Sequence, residues 1–248
     1  MFGAEVMWAT PRCERLLCAL LVPISLACGE APAAPAGRAP SPGCQAPAGV
    51  ANRPTTIEQS VALANALPKP LTLPCYLEAL ARPLPLHATL SQFSAQPAVG
   101  ARSPRLFIKF EPLIMTIVPD GIGRHLLEFG EQRAGHRSLK GELHFPLEGP
   151  VAPGKVYEQT LFDPQLTGCA FCHASEERDS TVPGGQGFVS QSLRPRAGER
   201  VGLDLLRREL AACDAAAEPE RCAMLDSLFG WGEILEWEFP QEMATFGN

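Results

Sequence analysis

Short apolar segments separated by turn-forming residues are the feature of this chain that most restricts its fold. Between residues 71 and 145, bursts rich in leucine, isoleucine and phenylalanine, the first of them at residues 71–73, alternate with turn signals such as Pro119, Asp120 and Gly121. Segments of this length and spacing are typical of antiparallel strands. The 22 glycines and 25 prolines among 248 residues also exclude a helical bundle or coiled coil along the whole chain. We therefore predict an antiparallel, β-sandwich-like domain over residues 55–153, with a short helix near residues 56–64.

The charge balance argues against a nucleic-acid partner. The chain has 21 Lys and Arg against 27 Asp and Glu, a formal net charge of −6, and no basic run or stripe. Nucleic-acid-binding proteins concentrate positive charge on one face. With 46% apolar residues, the chain is long and apolar enough to bury a core.

The N-terminus resembles an export signal. Arg12 and Arg15 precede an apolar run over residues 16–27, which is too short to span a membrane and has the length of a signal-peptide core. The small residues before Cys28 resemble the lipobox of bacterial lipoproteins, which implies cleavage after residue 27 and lipidation of Cys28. Ordinary cleavage near Ala27 or Ala31 is the alternative. Residues 28–54 are rich in Ala and Pro and are predicted to form an extended linker.

Residues 169–173 carry the most specific chemical signal in the chain. Cys169, Cys172 and His173 have the Cys-x-x-Cys-His spacing of c-type haem attachment. In such sites the two thiols form thioethers with the porphyrin vinyl groups, and the adjacent imidazole is the proximal iron ligand. The motif predicts one covalent haem c.

Three other uses of these residues stay open. A zinc ion bound by Cys169, Cys172, His173 and a fourth ligand such as Cys213 is one, although no second Cys-x-x-Cys knuckle is present. A thioredoxin-type redox pair is another, but it requires a neighbouring βαβ pattern that the sequence lacks. A structural disulfide between Cys169 and Cys172 is the third.

Residues 161–173, with the sequence LFDPQLTGCAFCH, resemble the segment before the haem site in c-type cytochromes, particularly the di-haem cytochrome c peroxidases. The resemblance covers about thirteen residues, which is the length of the quoted segment. This chain has a single Cys-x-x-Cys-His, so the second haem of the peroxidases has no attachment site. The resemblance therefore implies a monohaem cytochrome and places peroxidase activity in doubt.

Resemblance to monohaem cytochromes c also suggests the sixth iron ligand. In that family a methionine well after the histidine, often in a Met-Pro-x-Phe context, binds the iron. Here residues 243–246 read Met-Ala-Thr-Phe, so Met243 is the first candidate. Met224 is the second, although its helical surroundings favour a core position, and His125 and His136 follow.

The C-terminal part of the chain has a helical pattern. Leu203, Leu206 and Leu210 recur at helical spacing, and a second helix is expected to begin near Pro219. Cys213 and Cys222 flank the turn between these helices, and in an exported protein a disulfide is their simplest use. Cys44 and Cys75 remain and are able to pair as well.

Together these observations predict an α+β protein with four parts. They are a signal peptide (1–27), a linker (28–54), an antiparallel β-sandwich-like domain (55–153) and a small, mainly α-helical cytochrome c-like haem domain (154–248). The expected function is electron transfer to a redox partner protein, on the periplasmic or cell-surface side of a bacterial membrane and through a lipid anchor. No separate catalytic motif is visible. The alternatives are a β-sandwich binding module with a structural or sensory haem, and a five-coordinate peroxidase-like haem enzyme.

Overall fold

The computed structural model describes residues 38–246, which belong to one compact unit. The predicted signal peptide and Cys28 lie outside the described residues. Residues 38–54 have no helix or strand, but they do not form the free spacer that their composition predicts. Ala46 and Val50 pack against the hydrophobic core, and a disulfide joins Cys44 to Cys75.

Five helices and ten strands make up the described part of the chain. The helices are α1 (Ile57–Ala66), α2 (Leu73–Ala79), α3 (Lys155–Glu158), α4 (Leu203–Ala211) and α5 (Pro219–Phe229). The first five strands are β1 (Leu84–Thr89), β2 (Arg105–Phe110), β3 (Leu113–Ile117), β4 (Leu126–Arg133) and β5 (Arg137–His144). The later strands are β6 (Leu161–Asp163), β7 (Leu166–Thr167), β8 (Glu177–Asp179), β9 (Gly187–Gln191) and β10 (Ile234–Glu236). Short 3-10 turns occupy Gly168–Phe171, Pro183–Gly185 and Ala197–Glu199.

The predicted α+β class is confirmed, but the strands form one large sheet. Its eight strands lie in the order β10-β1-β2-β3-β4-β5-β9-β8, and β6 and β7 form a separate pair. Strands β1 to β5 make an antiparallel meander, β9 and β8 extend one edge, and β10 joins the other edge parallel to β1. Strands from both predicted domains therefore share one sheet, and the boundary expected at residues 153 and 154 falls inside a single unit.

One face of the sheet carries the hydrophobic core. Because strand side chains alternate between the two faces, Leu106 and Ile108 of β2 point into the core with Met115 of β3 and Phe129 of β4. Helices α1, α2, α4 and α5 supply the other side of the same core cluster. Gly141 of β5 permits the close approach of α1, since a Cβ at this position would lie 3.3 Å from an Ile57 methyl group.

The residues between these core positions form the second face of the sheet. On the four central strands this second face consists of Arg105, Phe107, Lys109, Ile114, Thr116, Leu126, Glu128, Gly130, Gln132, Ser138, Lys140, Glu142 and His144. No helix is needed to cover it, because polar side chains dominate. The 3-10 turn at Gly168–Phe171 and the C-terminal residues 237–246 contribute to clefts on this face.

One predicted strand is wrong. The apolar pattern at residues 71–73 predicts a short strand, but in the structure Leu71 makes only an isolated bridge to Leu147. Thr72 instead caps α2, and its side chain accepts a hydrogen bond from the Cys75 N–H. A threonine cap followed by proline in the first helical turn is a helix-start signal that outweighs three alternating residues.

The predicted helical hairpin is present and is cross-linked as expected. Helices α4 and α5 pack against each other, and a disulfide joins Cys213, just after α4, to Cys222 within α5. Arg221 adds ion pairs to Glu209 at 2.7 Å and Glu218 at 3.0 Å. The hairpin is therefore held by a covalent bond and by a half-buried charge network.

Replacing both Cys213 and Cys222 with serine should lower the free energy of unfolding by about 2–3 kcal/mol. The closed loop has a sequence separation of 9 residues, and releasing a loop of this length restores that much chain entropy to the unfolded state. Urea denaturation followed by circular dichroism measures the loss. The control Ala215→Ser/Ala216→Ser places two serines in the same exposed turn and should change stability by less than about 0.5 kcal/mol. Equal stability of the two double variants would contradict the prediction.

Candidate functional site

A single 3-10 turn brings the residues of the Cys-x-x-Cys-His motif together. The Thr167 side chain caps the turn by accepting a hydrogen bond from the Cys169 N–H at 3.1 Å. The N–H groups of Cys172 and His173 both donate to the Cys169 carbonyl, at 3.1 and 2.9 Å. Glu176 accepts hydrogen bonds from the backbone and hydroxyl of Thr167. The spacing of the motif thus corresponds to one closed, capped turn.

Both motif cysteines are free thiols. Burial raises the pKa of the Cys169 thiol to about 11, and the nearby Glu128 carboxylate adds to the increase. The Lys140 ammonium acts in the opposite direction, but it does not offset the loss of hydration. Cys169 is therefore a protonated thiol near neutral pH.

His173 is held as a neutral imidazole with a defined orientation. Its Nδ1 lies 2.8 Å from the Gln191 carbonyl oxygen, and because a carbonyl only accepts, Nδ1 must carry the proton. Burial lowers the pKa of His173 to about 3, with a further contribution from the Lys140 charge. Nε2 therefore keeps a lone pair. This is the arrangement found at metal-ligating histidines, where one ring nitrogen donates to the protein and the other binds the metal.

Two adjoining clefts lie beside this turn. The first has a volume of about 90 Å³, and its walls include Cys169, His173, Phe239 and Met243. The second, of about 80 Å³, includes Cys172 and also touches His173. Arg105, Phe107, His173 and Leu193 line both clefts, so the two clefts adjoin at these residues.

Met243 is the predicted distal ligand that the structure brings to His173. It is 6% exposed and packs in a small apolar cluster with Phe107, Ile114 and Phe239, separate from the main core. Met243 also borders an outer cavity of about 340 Å³ on the sheet surface. Met243 therefore lies between residues of the outer cavity and residues of the cleft that contains His173, together with Ile114 and Gln132, which line both.

The other candidate ligands lie elsewhere. Met224 is buried in the main core, as its helical position predicts. His125 is exposed and lines neither cleft at the motif, and the exposed His136 borders only the outer cavity. Of the four candidates, only Met243 shares a cleft with His173.

The floor of the first cleft is charged, which the sequence analysis did not predict. Arg105 pairs with Glu128 at 2.7 Å. Lys140 is buried, donates to the Ser138 hydroxyl at 2.7 Å, and has its pKa lowered by burial to about 8. Burial also raises the pKa of Glu142, with a contribution from Glu128. Alternation in β4 and β5 places these residues on one face, but sequence alone does not show which face is covered.

The residues present fit a covalently attached porphyrin in their chemistry. Two free thiols and a neutral imidazole share one turn, and a thioether borders the same cleft. Arg105 lines both clefts, and its Nε–H is buried without a hydrogen-bond partner, so an anionic propionate is a chemically suitable acceptor for it. The clefts are smaller than the roughly 300–1,000 Å³ of pockets for drug-sized ligands. The macrocycle would therefore need more room than the two clefts provide in this structure.

The three alternative uses of the motif find less support. Cys213, the expected fourth zinc ligand, is bonded to Cys222, and residues 38–246 contain no cluster of three or more His, Cys, Asp or Glu arranged to hold a metal ion. Cys169 and Cys172 are not disulfide-bonded. A redox-active thiol has a lowered pKa, whereas the pKa of Cys169 is raised.

Comparison with protein-family models, curated proteins and solved structures finds no match to this chain. Within residues 38–246, no helix has the length and apolar character needed to cross a bilayer.

The raised pKa predicts slow alkylation of Cys169 in the folded chain produced without haem attachment. At pH 8 a thiol of pKa about 11 has about a hundredfold less thiolate than one at the model value of 9.0. Peptide mass mapping after iodoacetamide treatment should therefore show at least a tenfold faster reaction of Cys169 in urea than in buffer. Equal rates in the two conditions would show that the thiol is not held as described.

Proposed function

We propose that this protein is an exported, lipid-anchored monohaem c-type cytochrome that transfers electrons. The observation that supports this most is the orientation of the His173 ring. Its Nδ1–H donates to the Gln191 carbonyl, so Nε2 keeps its lone pair, and the same turn carries two unpaired cysteines. Histidines that bind a metal usually donate the proton of the other ring nitrogen to a carbonyl or carboxylate. The bond to Gln191 would therefore fix the tautomer that iron binding at Nε2 requires.

Each proposed role belongs to a residue of the site. Cys169 and Cys172 would hold the group as thioethers, and His173 and Met243 would be the ligands of its iron. The bound haem supplies an iron centre that accepts and releases one electron. The buried Arg105 Nε–H, which has no hydrogen-bond partner, would be a donor for an acidic substituent of the group, and Phe107, Phe239 and Leu193 give the clefts apolar walls.

We keep the proposal of a cytochrome c-like haem region at residues 154–248, and we extend it to strands of the preceding part of the chain. The attachment turn, the distal candidate and the cross-linked hairpin all lie in residues 154–248, the predicted cytochrome c-like part. The floor of the site comes from strands β2 to β5, so the proposed haem region uses both parts of the chain. Export and anchoring rest on the apolar run before Cys28 and on the fact that bacterial haem c attachment takes place outside the cytoplasm.

The charged floor favours a second candidate function, a peroxidase-like enzyme. Arg105, Lys140 and Glu142 border the cleft, and a pure electron carrier has no need of three ionisable groups beside its iron. Such groups are suited to proton transfer with a small polar substrate. This candidate requires that Met243 leave the iron open. The sensory or structural haem module remains the third reading, and it predicts covalent haem without rapid electron exchange.

Covalent haem is the first expectation to test. Protein from an export strain with the cytochrome c maturation machinery should give a pyridine haemochrome spectrum of one haem c per chain and a haem-stained band on a denaturing gel. Replacing both Cys169 and Cys172 with serine should abolish the stained band. The control Cys213→Ser/Cys222→Ser, which removes the other cysteine pair of this part of the chain, should keep it. A wild-type chain without covalent haem would refute the proposal.

Ligand substitutions separate the two redox functions. His173→Ala should abolish the normal low-spin spectrum. Met243→Ala should convert a six-coordinate, low-spin oxidised iron into a high-spin one, remove the weak long-wavelength band of methionine ligation, and permit cyanide to bind readily. Met224→Ala, a methionine of the core, should leave the coordination unchanged. A wild-type iron that is already high-spin and binds cyanide readily would instead favour the peroxidase-like enzyme.

A further inference from the structure

We propose that a cavity beside the first turns of α2 and α5 binds a small carboxylic acid with an apolar body, and that Arg124 recognises the carboxylate. The cavity has a volume of about 400 Å³, which lies within the roughly 300–1,000 Å³ of pockets for drug-sized ligands. It shares no lining residue with the two clefts at the Cys-x-x-Cys-His turn. The inference therefore goes beyond the proposed function and does not depend on haem.

The cavity lies where four chain segments meet at the edge of the main core. They are the first turns of α2 and α5, the loop between β3 and β4, and the residues that follow β5. Leu73, Phe145 and Met224 belong both to the core cluster and to the cavity wall. An apolar group that enters the cavity therefore extends the core and gains the free energy of apolar burial.

Proline residues give this cavity a preformed shape. Each of the four segments contributes one proline to the wall, and these are Pro74, Pro119, Pro146 and Pro219. A proline ring fixes its backbone φ and has no long side chain that could turn inward and fill the space. The segments are also joined to each other: Leu71 and Leu147 exchange two backbone hydrogen bonds of 2.9 Å, and the Phe145 N–H donates to the His125 carbonyl at 2.8 Å. A ligand therefore meets a wall that needs little reordering, which lowers the cost of binding.

Arg124 supplies a cation at this apolar space. Its Nε–H donates to Glu220 at 2.5 Å, and its Nη1 donates to the Gly121 carbonyl at 3.4 Å. The Nη2 amino group has no acceptor within residues 38–246. Among the described residues that line the cavity, Arg124 is the one arginine or lysine, and it keeps hydrogen-bond donors available for a further partner.

The loop that carries Arg124 is fixed from below. The side chain of Gln96 is fully buried, and its amide donates to the carbonyls of Gly123 and Leu126 at 3.2 and 2.8 Å. These two residues flank Arg124 and His125 in the chain. The backbone position of the guanidinium is therefore set before any ligand binds.

The pairing of Arg124 with Glu220 decides which head group suits the cavity. The guanidinium lowers the pKa of the Glu220 carboxyl group, so this side chain is ionised at neutral pH. A guanidinium presents donors in a fork and is able to bind a second carboxylate through Nη2 while Nε keeps the first. An ammonium ligand would instead meet a like charge at Arg124, and a neutral head group would not use the charge at all. The charges at the cavity thus favour a carboxylate.

A series of ligands with one tail and three head groups tests this choice. Isothermal titration of the purified chain compares octanoate, 1-octanol and octylammonium. Octanoate should bind at one site at least about fivefold more tightly than the other two, because a hydrogen bond to a charged group contributes more than a neutral one. Equal or tighter binding of 1-octanol or octylammonium would overturn the inference, as would the absence of octanoate binding.

Charge variants give effects of opposite sign. Arg124→Gln should weaken octanoate binding at least about fivefold and leave 1-octanol within about twofold. Glu220→Gln should strengthen octanoate binding by about two- to threefold, because it removes a carboxylate that competes for the guanidinium. Arg208→Gln is the control, since Arg208 is exposed on α4 and lines no part of this cavity. Equal effects of Arg124→Gln and Arg208→Gln would contradict the assignment of Arg124.

A size variant and a spectroscopic measurement locate the ligand. Ala223 lines the cavity from an exposed position of α5, so Ala223→Phe should fill the space and lower octanoate affinity at least about tenfold. Ala211→Phe, at an exposed position of α4 outside the cavity, should stay within about twofold.

Methionine-methyl NMR of the wild type requires no variant that could fail to fold. Octanoate should shift the Met224 resonance saturably and leave those of Met115 and Met243 in place, because only Met224 of the three lines the cavity. A titration that shifts Met243 and not Met224 would place the acid in the clefts of the other face and overturn the inference. Neither result alters the test for covalent haem.

Discussion

The alternation of side chains across the sheet is the constraint on which the rest of this structure depends. In β2, Leu106 and Ile108 enter the core, while Arg105 and Phe107, which alternate with them, point to the opposite side. The same division continues through β3, β4 and β5 because their registers keep equivalent residues side by side. One face therefore stabilises the fold through apolar burial with the helices, and the other face is left to carry charge.

Partial coverage of the charged face explains the properties of the candidate site. The Cys-x-x-Cys-His turn and the C-terminal segment exclude water from ionisable groups that have few hydrogen-bond or ionic partners. Loss of hydration lowers the pKa of a basic group and raises that of an acidic group. The pKa of His173 falls, that of Lys140 falls less, and those of Cys169 and Glu142 rise. All four changes favour the uncharged form. The site thus contains a neutral imidazole beside charged side chains of opposite sign that form ion pairs, such as Arg105 and Glu128.

Local patterns predicted the parts of this protein that are determined locally. The meander from β1 to β5 follows from short apolar bursts with intervening turns, and the α4–α5 hairpin follows from helical spacing and two flanking cysteines. The Cys-x-x-Cys-His turn was recognisable because the motif residues are adjacent in the sequence and form one hydrogen-bonded turn. Residues 71–73 were misread because a three-residue alternation is weaker evidence than the Thr72 cap and the proline after it.

The long-range pairings were beyond such patterns. Strand β10 has three residues and joins β1 from the far end of the chain, and β8 has three as well. Segments this short have no periodicity that distinguishes them from loops. Without these pairings the sequence showed two separate domains, and it gave no reason to place Lys140 beneath Cys169. The position of Met243 in the same cleft as His173 agrees with a candidate that was proposed from the sequence by resemblance.

The short pairing of β10 has a consequence for the wall of the site. Phe239 and Met243 line the first cleft and follow β10, which lies at the edge of the sheet and pairs with β1 over three positions. Short edge pairings open at a lower free-energy cost than the central strands of a sheet. A local opening at this edge therefore frees the wall that carries Met243 while the meander from β1 to β5 stays folded.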